Sequence, residues 1–181
     1  MILRNFTILL CSIFLLGIAD LEQGKKKATQ CAACHGEDGN SLVGLWPSLA
    51  GQNYIYLKKQ LMLMKSGERE IPEMLGQLDS FSEKDIEDIS AYYAAETTTI
   101  GQASVDLVEA GSKLYYVGSL EKGIPACTAC HSPQGRGNTL AGFPLLSGQK
   151  AEYISKTLKD YRSVKRQYSE ESSIMVSIAY K

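Results

Sequence analysis

The 181-residue sequence has only two histidines, His35 and His131, and one tryptophan. Any function that uses both histidines leaves none for acid–base catalysis. The net charge is close to zero, since the sequence has 19 basic and 20 acidic residues. It therefore does not favour nucleic acid as a partner. No segment alternates apolar and polar residues over the length of a strand, which excludes a clear β-sheet pattern.

The sequence lacks an apolar run long enough to cross a bilayer. Residues 6–19 form an apolar stretch of about 14 residues, whereas a spanning helix needs about 20. A basic residue precedes the run, and Gly17 and Ala19 are small residues suited to cleavage after Ala19. This pattern predicts a secretory signal peptide over residues 1–19, with a transmembrane anchor as the alternative. Cys11 follows two leucines, which disfavours a lipoprotein anchor.

Four of the five cysteines lie in two copies of one pattern, CAACH at residues 31–35 and CTACH at residues 127–131. Cys-x-x-Cys-His is the attachment signature of c-type haem. Two thiols on one helical turn bond to the porphyrin, and the adjacent histidine becomes the proximal iron ligand. The pattern predicts two covalent haems, held by Cys31, Cys34, Cys127 and Cys130, with His35 and His131 on the iron.

Three other uses of the cysteines are weaker interpretations. A zinc site has the right ligand count in four cysteines, but it does not explain a histidine after each pair. A thiol–disulfide exchange site is typical of a βαβ pattern, which is absent here. A structural disulfide across two residues closes a very small loop and stabilises little.

The chain contains an internal repeat. Residues 46–52 (WPSLAGQ) match residues 143–149 (FPLLSGQ) at an offset of 97 positions, and the same offset places Tyr56 on Tyr153. Each half therefore has a helix, a haem motif, an aromatic-Pro turn, Gly-Gln and another helix. We predict four segments: signal peptide 1–19, first domain 20–96, linker 97–104 and second domain 105–181.

The periodicity predicts helices in both halves. Apolar residues share one helical face from Tyr54 to Met64, and less cleanly from Tyr153 to Tyr161. Ser82 opens a capping box before another helix, and residues 105–116 form a further helical pattern. We therefore predict an all-α protein of two domains.

The sixth iron ligand has to be sought among the methionines, because both histidines are already used. Met74 and Met175 each lie in a segment that we predict to be the loop after the Gly-Gln helix. Met62 and Met64 lie inside an amphipathic helix, where methionine is usually a core residue. Thioether ligation raises the haem potential and is typical of an electron carrier.

Pro47 and Pro144 stand at corresponding positions of the repeat. A ligand histidine usually donates its second ring nitrogen to a carbonyl or carboxylate, which orients the ring. The two prolines either supply those carbonyls or only shape a turn.

Over residues 20–181 the sequence closely resembles the dihaem cytochrome c4 family. The resemblance rests on both haem motifs and on residues 47–52, 73–74, 111–115, 123–127 and 174–179. It implies a periplasmic protein with two class I cytochrome c domains about a pseudo-twofold axis. It further implies His/Met ligation of each haem, by His35 with Met74 and by His131 with Met175.

The resemblance also implies the partners. They would be redox proteins such as quinol-oxidising complexes and terminal oxidases, with peripheral membrane association open and no small-molecule substrate. Residues 20–100 hold 13 acidic and 8 basic residues, a net charge of −5, and residues 101–181 hold 7 and 10, a net charge of +3. Such a dipole orients a protein at a charged partner, although uneven solvated charge is the alternative.

The sequence departs from the family after Met175. The first half continues into the capped helix after Ser82, whereas only six residues follow Met175. We expect the second half to lack this helix, either because the sequence is a fragment, which we favour, or because the second haem pocket is more open. In the latter case we expect a weakened Met175 ligand.

Three functions follow from these observations. The leading hypothesis is a dihaem electron carrier without a substrate of its own. The second is the cytochrome subunit of a larger dehydrogenase, such as a sulfide-oxidising flavocytochrome. The third, a dihaem peroxidase, needs a vacant sixth position and an acid–base residue, for which no histidine remains.

Overall fold

The computed structural model describes residues 19–181, so the predicted signal peptide lies outside the described residues except for Ala19. Residues 19–181 contain eight α-helices and no strand, apart from two isolated antiparallel bridges, Ser119–Ile124 and Asn138–Phe143. The prediction of an all-α protein is confirmed. In this part of the chain, no helix combines the length and hydrophobicity needed to cross a membrane.

The first half contains four helices: α1 (Leu21–Ala28), α2 (Ala32–His35), α3 (Tyr54–Lys65) and α4 (Glu83–Ala95). The Asp20 carboxylate caps α1 by accepting from the Glu22 and Gln23 amides. The predicted capping box at Ser82 is confirmed at the start of α4, where Asp85 is its partner. Such caps satisfy amides that the first helical turn leaves unpaired.

Helices α1 and α4 pack closely and enclose the core of this half. They approach at Gly24, where an added Cβ would stand only 2.1 Å from the Asp88 carbonyl oxygen. Helix α3 also packs against α4. The buried core comprises residues of α1, α3, α4 and the segment before α4: Ala28, Leu57, Leu61, Leu78, Phe81, Ile86, Ile89, Tyr92 and Tyr93.

The second half also contains four helices: α5 (Val105–Tyr116), α6 (Thr128–His131), α7 (Ala151–Arg162) and α8 (Glu170–Ala179). The predicted helix over residues 105–116 is confirmed. The prediction that Met175 lies in a loop is wrong, because Ser169 and Ser172 form a capping box that starts α8. Helix α8 packs against α7, and no buried residue lies in α5 or α7.

Residues 97–104, the predicted linker, have no regular secondary structure. The Thr98 hydroxyl donates to the Ala50 carbonyl at 2.6 Å, and the Thr99 amide donates to the Asn40 side chain at 2.8 Å. The connection is therefore fastened along the first half before α5 begins.

Candidate haem sites

Each Cys-x-x-Cys-His motif forms one tight helical turn. In the first half a 3₁₀ turn, Thr29–Cys31, runs directly into α2, which ends at His35. In the second half Cys127 stands at the N-terminus of α6, which ends at His131. Both histidine side chains are buried, at 8% and 7% exposure. The short helix thus holds each cysteine pair close to its histidine.

The second ring nitrogen of each histidine is bonded to a proline carbonyl. His35 Nδ1 lies 2.8 Å from the Pro47 oxygen, and His131 Nδ1 lies 3.0 Å from the Pro144 oxygen. The structure therefore confirms that Pro47 and Pro144 supply carbonyls that bind the histidine rings, and that they do not only shape a turn. Because Nδ1 donates to the carbonyl, Nε2 is the nitrogen that remains to bind iron.

Burial keeps both imidazoles in the neutral form that binds metals. Burial lowers the pKa of His35, and the hydrogen bond to Pro47 opposes this shift. Burial lowers the pKa of His131 in the same way, against the hydrogen bond to Pro144. A neutral ring carries one proton, which the proline carbonyl holds on Nδ1.

Backbone bonds within each loop set the position of the proline. The Gly39 carbonyl accepts from the amides of Leu49 and Ala50, at 2.7 and 3.1 Å. The equivalent bonds of the second half join Gly135 to Leu146 and Ser147, at 2.7 and 3.0 Å. The two loops therefore close alike.

One cavity of 1480 Å³ brings together all eight residues predicted to hold the haems: Cys31, Cys34, His35, Met74, Cys127, Cys130, His131 and Met175. This exceeds the roughly 300–1,000 Å³ of a site for one small molecule. Met74 ends a 3₁₀ turn, Pro72–Met74, whereas Met175 projects from α8. Met64 also lines the cavity, but Met62 does not.

The cysteines do not form a zinc cluster. All four are free, and within residues 19–181 no three His, Cys, Asp or Glu side chains are placed to hold a metal together. Burial raises the pKa of the Cys31 and Cys127 thiols. These observations disfavour both the zinc and the disulfide interpretations.

Two buried arginines, which the sequence analysis missed, line the cavity where the halves meet. Arg69 and Arg166 are 6% and 3% exposed, and they stand 97 positions apart, like the two aromatic-Pro segments. Arg166 Nη2 donates to the Tyr56 hydroxyl at 2.7 Å, and Arg69 Nη2 donates to the Tyr153 hydroxyl at 3.5 Å. Each arginine therefore reaches a tyrosine of the other half.

These guanidinium groups have no anionic partner among the described residues, and Arg69 Nε is buried without a hydrogen bond. Burial raises the pKa of Tyr153, but the charges of Arg166 and Arg69 outweigh it and bring the pKa to about 7. Buried positive charges are usually paired with anions. The carboxylates of two haems would supply them, so the residues present fit this cofactor.

Comparison with known proteins agrees with this geometry. Residues 19–92 match the family of cytochrome c oxidase, cbb3-type, subunit III, and residues 108–175 match the cytochrome c family. The chain is 45% identical to cytochrome c4 of Azotobacter vinelandii, over 96% of this chain and 89% of that protein. It is 33% identical to a thiosulfate dehydrogenase electron acceptor of Stutzerimonas stutzeri, over 84% of this chain and 71% of that protein.

Among solved structures, reduced recombinant cytochrome c4 from Pseudomonas stutzeri superimposes with a TM-score of 0.88. It has 44% sequence identity, and 91% of each chain is covered. The two tandem cytochrome c domains imply two covalently bound c-type haems. The chain therefore belongs to the cytochrome c4 family of dihaem electron-transfer proteins.

Proposed function

We propose that this protein is a periplasmic carrier that passes single electrons between redox proteins through two His/Met-ligated haems. Cys31 and Cys34 hold the first haem, and Cys127 and Cys130 hold the second. The observation that carries the proposal is the one cavity that holds both haem motifs and both candidate methionines. A haem iron held by histidine and thioether ligands supplies a one-electron couple at comparatively high potential.

The chain's own residues have three tasks in this function. Pro47 and Pro144 orient the histidines, so that each Nε2 faces the cavity. Met74 and Met175 line the same cavity as the histidines and would supply the thioether ligands of the two haems, which would leave no iron site for a substrate. Arg69 and Arg166 neutralise the haem carboxylates inside the interface, where water would otherwise have to do so.

The partners that we propose are membrane-bound quinol-oxidising complexes and terminal oxidases, approached from the periplasm. The net charges of −5 for residues 20–100 and +3 for residues 101–181 support an oriented encounter. Peripheral association with the membrane fits such partners. Faster reduction at low ionic strength, measured by stopped-flow mixing with a quinol-oxidising complex, would support this orientation.

Substitution of the methionines tests the ligand assignment. In M74L and M175L we expect each change to remove about half of the thioether-to-iron absorption of the ferric protein, and in the double variant all of it. The matched control is M64L, since Met64 lines the same cavity but lies in α3. Loss of the absorption in M64L, or its survival in the double variant, would show that the assignment is wrong.

A second candidate function is the electron-accepting unit of a larger dehydrogenase. The similarity to a thiosulfate dehydrogenase electron acceptor favours it. Co-purification with a dehydrogenase, and reduction by that enzyme much faster than by a quinol-oxidising complex, would distinguish this function from the carrier. Rapid turnover of peroxide would instead support a dihaem peroxidase.

A further inference from the structure

Two glutamines join the halves reciprocally. Gln149 Oε1 accepts from the Ser48 amide at 2.8 Å, and its Nε2 donates to the Ser48 carbonyl at 2.9 Å. Gln52 Oε1 accepts from the Leu145 amide at 2.7 Å, and its Nε2 donates to the Leu145 carbonyl at 3.0 Å. Gln52 and Gln149 are 97 positions apart, and so are Ser48 and Leu145. The pseudo-twofold relation thus extends to single atoms.

In the first half, the peptide unit bound by the glutamine is the one that orients the haem histidine. The Ser48 N–H and the Pro47 C=O belong to the same peptide plane. Pro47 oxygen accepts from His35 Nδ1 at 2.8 Å, and the Ser48 N–H donates to Gln149 Oε1 at 2.8 Å. A continuous hydrogen-bonded chain therefore runs from His35 to Gln149, which lies in the opposite half.

The second half repeats this arrangement. His131 Nδ1 donates to the Pro144 oxygen at 3.0 Å, and the Leu145 N–H of the same peptide unit donates to Gln52 Oε1 at 2.7 Å. We call each of these peptide units, with its histidine and its glutamine, a cross-domain relay. Each haem histidine is thus linked to a glutamine that the other half provides.

The orientation of each glutamine amide follows from its donors. Gln149 Oε1 also accepts from the Lys150 amide at 3.0 Å, and Gln52 Oε1 accepts from the Asn53 amide at 2.9 Å. Two backbone N–H groups therefore point at the same side-chain atom, which has to be the oxygen. Gln52 is also buried, so water does not compete freely for its bonds.

Hydrogen bonds in series strengthen one another. An amide whose N–H donates to an acceptor has more electron density on its carbonyl oxygen, which then accepts more strongly. A stronger bond at Nδ1 makes the imidazole a more basic iron ligand. A more basic ligand favours the ferric state and lowers the haem potential.

We propose that Gln149 and Gln52 are positioning residues that lower the potential of the haem held by the opposite half. Gln149 acts on the haem at Cys31 and Cys34, through Pro47 and His35. Gln52 acts in the same way on the haem of the second half. This inference rests on the proposed function, since it presupposes a haem on each histidine.

The test is a redox titration in which NMR resolves the two haems, applied to Q149M and Q52M. Methionine keeps the length of the side chain but removes the acceptor. In Q149M we expect a higher potential for the first haem alone, and in Q52M for the second haem alone. In the ferrous protein, the Nδ1–H resonance of the matching histidine should move upfield, because its hydrogen bond weakens.

Two further variants separate the relay from mere loosening of the interface. T139V removes the 2.9 Å bond from the Thr139 hydroxyl to Asn53 Oδ1, which also joins the halves, so it should shift neither potential. Q149E keeps an acceptor for the Ser48 amide, so the first haem should stay at or below its wild-type potential. If Q149M does not fold, the potential of the first haem can still be measured in Q149E.

Unequal, crossed shifts in the two methionine variants would support the relay. Equal shifts of both haems in each variant, a shift in T139V, or Q149E behaving like Q149M would overturn it. If both haems are bound but neither potential moves, the relay is wrong and the proposed function stands. Wild-type protein without covalent haem would instead overturn the proposed function itself.

Discussion

The two halves differ most where their N-terminal helices should be covered. In the first half α4 packs on α1, and an added Cβ at Gly24 would collide with α4. In the second half, a Cβ added at Gly111 of α5 would have no atom within 4 Å beyond its own helix backbone and chain neighbours. Among residues 19–181, every buried hydrophobic side chain lies in the first half, and no described helix packs on α5 as closely as α4 packs on α1.

The immediate surroundings of the two histidines nevertheless agree closely. Their exposures are 8% and 7%, and both donate to a proline carbonyl. Backbone bonds inside each loop and glutamines from the opposite half hold those prolines in both halves, although in the first half the Tyr93 carbonyl of α4 also accepts from the Gly51 amide at 2.8 Å. The bonds next to the two histidines are therefore alike, although the two halves differ in how much hydrophobic core they bury.

The largest difference should appear at a core leucine and its counterpart. Leu61 is 9% exposed and Leu158, 97 positions later, is 42% exposed. Leu61→Ala should lower the stability of the first half by about 2–5 kcal/mol, the usual cost of truncating a buried leucine. Leu158→Ala should cost less than about 1 kcal/mol.

Hydrogen exchange of the amides in α3 and α7 measures the two leucine effects separately. Equal losses would mean that Leu158 is as enclosed as Leu61 in the haem-bound protein, and the difference between the halves would then be refuted.

Gly24 in α1 and Gly111 in α5, the first helix of each half, should respond with opposite signs. Gly24→Ala should destabilise the first half by about 1–3 kcal/mol, because the new Cβ overlaps α4. Gly111→Ala should stabilise the second half by up to about 1 kcal/mol, since alanine favours an exposed helix. Thermal unfolding followed by circular dichroism tests both. A destabilising Gly111→Ala would reveal a partner packed on α5.

A smaller effect is expected after the second haem motif. Ser132 has φ 65° and ψ 160°, a conformation suited to glycine, whereas the first half has Gly36 there. Ser132→Gly should stabilise the second half by about 1 kcal/mol, reduced by loss of the Arg136 amide bond to its hydroxyl. Denaturant titration measures the change. Gly36→Ala is the control, and it should be destabilising.

The smallest effect concerns an exposed ion pair between the halves, Lys59 to Glu171 at 2.7 Å. The hydrogen bond from Lys59 holds the pKa of Glu171 at about 2, against about 4.3 in an unfolded chain. The pair therefore stabilises the fold above about pH 4 and ceases to do so as the pH falls toward 2.

For this pair, Glu171→Gln should cost less than about 1 kcal/mol at pH 7, with the difference from wild type shrinking on acidification. Unfolding free energies of both proteins, measured between pH 7 and pH 3, should follow this trend. A difference that grows at low pH would contradict it.

Local patterns predicted much of the fold. The helices at residues 54–65, 83–95 and 105–116 follow from apolar spacing and from the Ser82 cap. Helix α8 was missed because its capping box uses a serine, Ser172, in place of the usual acidic or amide residue. Our predictions for the eight haem-binding residues and for the domain boundaries remain predictions.

The buried arginines show what local patterns leave out. Nothing near Arg69 or Arg166 in the sequence distinguishes them from surface residues. Only their shared offset of 97 positions, already visible in Tyr56 and Tyr153, could have drawn attention to them. Their burial results from docking of the two halves, which no single helix or loop encodes.

The sequence by itself determined that this protein has two haem motifs in a repeated helical plan, because thioether attachment needs only two cysteines and a histidine on one turn. The tertiary structure alone decided that each histidine is linked to a glutamine of the other half. Those bonds join residues 93 and 101 positions apart, and their existence depends on how the two interface surfaces fit together.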